Sequence, residues 1–205
     1  NIWKERDGTD QPLYPKQIEF MNLIKPEENI LVVVKCRQSG FSTGIQAKAL
    51  HRAYFGKVPE ILITSAGQNQ SMRVLKKIKS FFNSMPEFMK IGYTKDTQQE
   101  IQLENGTVIY SLPANPDACR GFTGDVFLDE YGVNSRKDGD ELWEALVPCT
   151  VKGYDLIAVS TPKGKNNMFY DLCNPRRDED GVIVTPQADK IIATPETRIR
   201  RSLRF

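Results

Sequence analysis

Residues 30–43, Ile30-Leu-Val-Val-Val-Lys35-Cys-Arg-Gln-Ser-Gly40-Phe-Ser-Thr43, decide how the chain folds. A short β-branched apolar run reads as a buried strand. It breaks into a small-residue loop that ends in a glycine, an aromatic and two hydroxyls. The usual phosphate-binding loop reads G-x-x-x-x-G-K-[ST]. Here Lys35 stands where the first glycine belongs, and Phe41 where the lysine belongs. Two readings are open at this point: a chance match, or a rearranged phosphate loop whose cation enters from the strand side.

Outward from this loop, strands and helices alternate. Residues 43–55 read as a helix stopped by Gly56 and Pro59, and 60–64 as a second buried strand. Residues 70–85 carry apolar side chains at 72, 74, 75, 78, 81, 82 and 85, close to helical period, until Pro86. Upstream, Pro15 opens a short amphipathic helix with apolar positions 18, 20, 21, 23 and 24. Downstream, Ile101, Leu103, Val108, Tyr110 and Leu112 alternate around Asn105-Gly106, a strong hairpin signal. A buried strand follows over 125–129, a polar loop over 134–140 and a helical turn or two over 141–146. The next strand is 154–160, then comes a short helix over 165–172 and a late strand over 182–185. This order predicts a single α/β domain: a mainly parallel central sheet flanked by helices, with a β-hairpin insertion. The core is expected over about 12–172, with 173–205 as an extension or linker.

Composition narrows the class less. The chain has 205 residues, 40% hydrophobic and 26% charged, enough apolar content for one core, and its net charge of +2 favours no partner. Lys76, Lys77 and Lys79 cluster, as do Arg198, Arg200, Arg201 and Arg204; a solvated helix face and a frayed tail account for them. The four cysteines form no C-x-x-C pair and His51 is the single histidine, which argues against a zinc site and for a reducing compartment. No apolar run reaches the ~20 residues of a membrane span, and no secretory signal opens the chain, so a cytosolic protein is expected. The chain starts at Asn1 without a methionine, as a fragment would.

A parallel-sheet ATPase needs a phosphate cradle, a magnesium ligand and a group that orients water, all at the carboxyl ends of its strands. The cradle is 35–43, where backbone N–H groups ahead of the helix make an anion site unaided. Lys35 would reach back over the loop to the β- and γ-phosphates, Ser42 aligns with the magnesium-binding hydroxyl, and Thr43 is a spare one. Val126-Phe-Leu-Asp129-Glu130 is a hydrophobic strand ending in two acids. Asp129 would hold the Mg²⁺ shell and Glu130 would polarise the attacking water; a strand followed by a solvated acidic turn is the alternative. Ser160-Thr161-Pro162 ends the next strand, where helicase-like motors place a hydroxyl motif beside the γ-phosphate; a plain strand-end turn is the rival. Gln17 lies upstream of the cradle where a carboxamide would read both N6 and N7 of adenine, or sits on a helix surface. Arg37 would act in cis on the developing charge of phosphoryl transfer. Arg120, before Gly121-Phe-Thr-Gly-Asp125, would reach a neighbour's site, with Arg73 as a competitor.

Taken in order, Lys35-Cys-Arg-Gln-Ser-Gly-Phe-Ser-Thr43, Ile63-Thr-Ser-Ala66, Asn105-Gly106, Arg120-Gly-Phe-Thr-Gly-Asp-Val-Phe-Leu-Asp-Glu130 and Ser160-Thr-Pro-Lys-Gly164 resemble the ATPase domain of the large terminase subunit of tailed bacteriophages and prophages. The resemblance covers roughly 12–172, and some members of that family carry the lysine early with an aromatic before the serine. It implies an ASCE-type P-loop NTPase that hydrolyses ATP with Mg²⁺ and drives double-stranded DNA into a procapsid. Lys35, Cys36, Arg37, Gln38, Ser39, Gly40, Phe41, Ser42 and Thr43 would line the nucleotide, with Gln17, Ser160 and Thr161. Ser42 and Asp129 would face the metal, and Glu130, Lys35, Arg37 and Arg120 would serve catalysis. Implied partners are duplex DNA, the portal protein, the small terminase subunit and further copies in a ring on the portal, in the host cytoplasm and without a membrane. The acids after residue 172 lie mostly in a polar run, so the nuclease that full-length members add is expected to be missing. A helicase or remodelling motor shares the same ATP chemistry, and a non-catalytic DNA-binding or assembly module is the third possibility.

Overall fold

A computed structural model describes residues 15–22, 30–37, 39–185 and 188–193. Its elements are α1 (Pro15–Asn22), β1 (Ile30–Val34), α2 (Phe41–Phe55), β2 (Glu60–Ser65), α3 (Gln68–Asn83), β3 (Tyr93–Asp96), β4 (Glu100–Leu103) and β5 (Val108–Pro113). The second half adds β6 (Gly124–Asp129), α4 (Arg136–Leu146), β7 (Leu156–Ser160), α5 (Met168–Cys173) and β8 (Lys190–Ala193). The eight strands form one sheet in the order β3-β4-β5-β2-β6-β7-β1-β8. From β5 to β8 every neighbouring pair is parallel, while β3–β4 and β4–β5 are antiparallel. This is the expected α/β class.

Alternation along the central strands builds a core on each face. Leu31, Val33, Ile61, Ile63, Phe127, Ile157 and Val159 point to the side covered by α1, α2 and α3. Val32, Val34, Leu62, Val126, Leu128, Leu156 and Ala158 point to the side covered by α4 and α5. A strand buried on both faces has to be apolar at every position, which is why these runs carry no polar interruption.

Some expectations change in the structure and one holds. The expected hairpin at Asn105-Gly106 is present, with Gly106 at φ 91°, and its second strand β5 pairs with β2 and so joins the main sheet. The late strand is not 182–185, where Ile183 makes only an isolated bridge to Arg177; it is β8, paired with β1. The packed core therefore continues past residue 172, with Ile192 of β8 buried in it beside β1. Helix α4 begins at Arg136 within the expected polar loop, because the Ser135 hydroxyl accepts from the Asp138 N–H and caps it. In α1, Gln17 and Phe20 are buried while Ile18 is half exposed, so the buried stripe differs from the apolar count; positions 23 and 24 lie outside the described residues.

A charge clasp locks the amino end of the sheet. Arg52, near the end of α2, donates to both oxygens of Asp125 at 2.5 and 3.0 Å and lies 3.7 Å from Asp155. Asp125 opens β6 and Asp155 precedes β7, so the clasp ties together three elements whose other ends form the site described next. Burial pushes the Asp155 carboxyl up to about 6, and burial lowers nearby Lys48 to about 8. Removing the guanidinium strands a fully buried carboxylate, at a cost of several kcal/mol. Arg52→Met is expected to lose ~3 kcal/mol, lowering the calorimetric Tm by roughly 6–12 °C for a domain of this size. A Tm within two degrees of wild type would sink that expectation.

Candidate active site

Lys35 leaves β1 at the carboxyl edge of the sheet, and its N–H continues the ladder to the Ser160 carbonyl at 2.9 Å. The loop then turns on itself, closed by the Ser39 hydroxyl donating to the Cys36 carbonyl at 2.8 Å. Gly40 has φ 75° and caps α2 in a left-handed conformation that a side chain resists. The first N–H groups of α2 are thus free of intrahelical partners and sit at its positive end, an anion site made by backbone alone.

The exchange of lysine and aromatic now has a physical reason. Phe41 is buried, and its ring packs tilted against Phe20 of α1, with centroids 5.5 Å apart. Its side chain belongs to the core, so a part for Phe41 at the nucleotide would fall to its main-chain N–H. With that position spent on packing, the cation comes from Lys35. Its ammonium pairs with Glu130 and lies 3.5 Å from the Ser42 hydroxyl, which in turn donates to Asp129 Oδ1 at 3.0 Å. Lys35 is itself buried.

The two acids address one cleft because Glu130 takes φ 58°, ψ 35°. That left-handed turn, costly for a residue with a Cβ, stops the pleat from sending them to opposite faces. Burial raises the Asp129 pKa, while Lys35 and the Ser42 hydroxyl oppose the rise. Glu130 Oε2 accepts from the Thr161 N–H at 3.4 Å and its hydroxyl at 3.3 Å. Both carboxylate oxygens of Glu130 therefore have partners, one a cation and the other the end of β7. Strand order makes this possible: β7 lies between β6 and β1, so its end separates and bridges the acids and the loop.

Ser160 plays a different part from the one expected. It is fully buried, and its hydroxyl accepts from the Gly132 N–H at 3.0 Å and donates to the Thr161 carbonyl at 3.0 Å. It braces the turn after Glu130 and positions Thr161. Gly132 escaped the sequence reading; a Cβ there would stand 2.9 Å from the Ser160 hydroxyl and 3.2 Å from the Phe169 ring. The Glu-Tyr-Gly run after the strand was the available signal.

Gln17 is buried beside the loop, and its amide donates to the Ser39 carbonyl at 2.8 Å, so α1 braces the cradle. Arg37 is exposed at the loop's turn, Cys36 is half-buried, and Thr43 lies half-buried in the first turn of α2. Gln38 is outside the described residues. Arg120 is not brought to these groups: it is exposed in the segment leading to the start of β6, beside Glu144, Ala145 and Pro148. Arg73 projects from the exposed side of α3.

The donor set suits a magnesium ion. Mg²⁺ takes one or two protein oxygens and completes its shell with phosphate and water. The Ser42 hydroxyl and Asp129 carboxylate, 3.0 Å apart at the mouth of the cradle, are such a pair.

The fold recurs among large terminases of bacteriophages. The ATPase domain of the Thermus phage P74-26 large terminase matches with a TM-score of 0.60 at 19% identity, over 90% of this chain and 81% of that one. The large terminase of bacteriophage HK97 matches at 0.65 and 17% identity, over 82% and 37%. The large terminase of a thermophilic bacteriophage, in complex with ADP, matches at 0.58 and 16%, over 76% and 40%. The chain thus spans less than half of these last two large terminases. At such identities the likeness shows the fold alone. The sequence itself matches the family described as terminase large subunit, T4likevirus-type, N-terminal, over residues 32–204. With its site order and fold agreeing, the chain belongs to the terminase large subunit family, in its N-terminal part.

Proposed function

We propose that this chain is the ATP-hydrolysing motor domain of a large terminase, coupling turnover to movement of double-stranded DNA into a procapsid. One observation carries the reading: Lys35, Ser42, Asp129, Glu130 and Thr161 converge from the ends of three adjacent strands and a helix N-terminus. The backbone N–H groups of the loop and α2 would hold the phosphates, with Ser42 and Asp129 facing Mg²⁺. When bound, Mg²⁺ neutralises charge on the transferring phosphoryl group. Lys35 would exchange Glu130 for the γ-phosphate as the nucleotide enters. Glu130, released from the cation but held by Thr161, would orient the attacking water and take its proton. Arg37 would contact phosphate from the loop's turn.

Arg120 lies away from this chain's own acids, so it would act on a neighbouring copy in a ring seated on the portal, where the small terminase subunit also meets the motor. We assign no DNA cleavage to residues 1–205, and we place the work in the host cytoplasm. The test is calorimetric titration with a non-hydrolysable ATP analogue, with and without Mg²⁺, joined to turnover measured across protein concentration. Binding that needs Mg²⁺, with specific activity rising with concentration, is expected. No nucleotide binding in Mg²⁺ would leave a DNA-binding or assembly module as the better reading.

A further inference from the structure

The two helical layers of this domain carry opposite charge. Helices α2 and α3 together contain Lys48, Arg52, Arg73, Lys76, Lys77 and Lys79 and no carboxylate. Across the sheet, α4 carries Asp138, Asp140, Glu141 and Glu144 against Arg136 and Lys137. Inside the basic layer the cations divide by role. Lys48 is buried and donates to the Phe20 carbonyl, Arg52 is spent on Asp125, and Lys79 turns inward to Asp96 and the Thr97 carbonyl. Arg73, Lys76 and Lys77 remain exposed, and none of them pairs with a carboxylate among the described residues. Lys77 leans over the Phe81 ring, its ammonium 5.2 Å from the centroid.

Helical spacing makes these three a stripe. Asn69, Arg73, Lys76, Lys77, Ser80 and Asn83 share the exposed side of α3, so amides and a hydroxyl flank the cations; no acid of the helix interrupts them, and Asp96 of β3, which shares a cleft with Lys76, is taken by Lys79. At 1.5 Å per residue the stripe runs ~20 Å, long enough to meet several phosphates of a duplex. Its amino end follows β2, at the same edge of the sheet as Lys35 and Glu130.

We infer that this face of α3 is a docking surface for the phosphate backbone of double-stranded DNA. The choice of duplex as the occupant rests on the motor reading above; the surface itself rests on the charge division. Such contacts position without reading sequence, so the surface would take any duplex. Each cation facing a phosphate releases a counterion, giving a salt slope of about 0.9 per contact.

Anisotropy of a fluorescein-labelled mixed-sequence duplex, titrated over a series of salt concentrations, measures that slope. The double variant Lys76→Gln/Lys77→Gln is expected to bind more weakly, with a log–log slope shallower by about 1.8. Its affinity for a nucleotide analogue should not change. Lys79→Gln should melt earlier yet keep the slope, since that lysine faces Asp96. Wild-type binding too weak to measure at low salt, or a double variant with an unaltered slope, overturns the inference. So does a double variant that keeps DNA affinity but loses self-association in sedimentation, which would make the face an interface between copies. Failure of the wild type to bind nucleotide would sink the motor reading but leave the salt slope as an independent result.

Discussion

Glu130→Gln abolishes steady-state ATP hydrolysis while ATP remains bound. The amide keeps the size of the carboxylate and its bonds from Thr161, so the turn after β6 survives. What disappears is a base for the attacking water, worth roughly 10²–10⁴ in rate. Affinity should hold or tighten, because the substitution also removes the anion that competes with phosphate for Lys35. Single-turnover hydrolysis and equilibrium binding of labelled ATP separate the two effects. Turnover within tenfold of wild type would show that another group activates water.

Lys35→Ala has the second large effect, and it acts at both steps. The ammonium is the cation at the mouth of the cradle that contacts both Ser42 and Glu130. Losing one charge-assisted contact to phosphate costs about 1.5–3 kcal/mol, a roughly ten- to hundredfold drop in affinity. Turnover should fall further, since the transition state carries more charge than the ground state. Adding Phe41→Lys, which restores the usual motif on paper, should not rescue it. Phe41 is packed on Phe20 beneath the loop, so a lysine there would be a buried charge in place of an aromatic, destabilising the domain by ~3 kcal/mol or more. Intact turnover in Lys35→Ala, or rescue by the second change, would mean that the loop has been misread.

Much of this site was legible because its signals are local. The β-branched run before Lys35, the glycine that turns the loop and the two acids ending β6 each follow from side-chain size, backbone freedom or polarity over a few residues. Their order along the chain was enough to suggest shared chemistry. The hairpin at Asn105-Gly106 was readable for the same reason, since only residues tolerating positive φ close such a turn. The departures have equally physical causes. A motif records spacing but not which way a side chain leaves the helix, so it does not reveal that the Phe41 ring goes to the core. A hydroxyl at a strand end likewise does not reveal that the backbone N–H of Gly132, 28 positions upstream, bonds to Ser160. The placing of the late strand at 182–185 went wrong because apolar alternation marks strand propensity, while pairing depends on which edge is open.

By itself the sequence determined most of the elements and their order, though not β3 or β8, and the residue types that reach the carboxyl edge, since turn chemistry and hydrophobic period act between near neighbours. The tertiary structure alone decided that β7 enters between β6 and β1, bringing Thr161 to Glu130, and that Lys35 meets an acid 95 residues away. It alone paired β8 with β1, gave Phe41 to Phe20, and placed Arg52 between Asp125 and Asp155. Strand adjacency and buried charge pairing are settled by the joint packing of both faces of the sheet, an energy to which every element contributes and which no short window of residues contains.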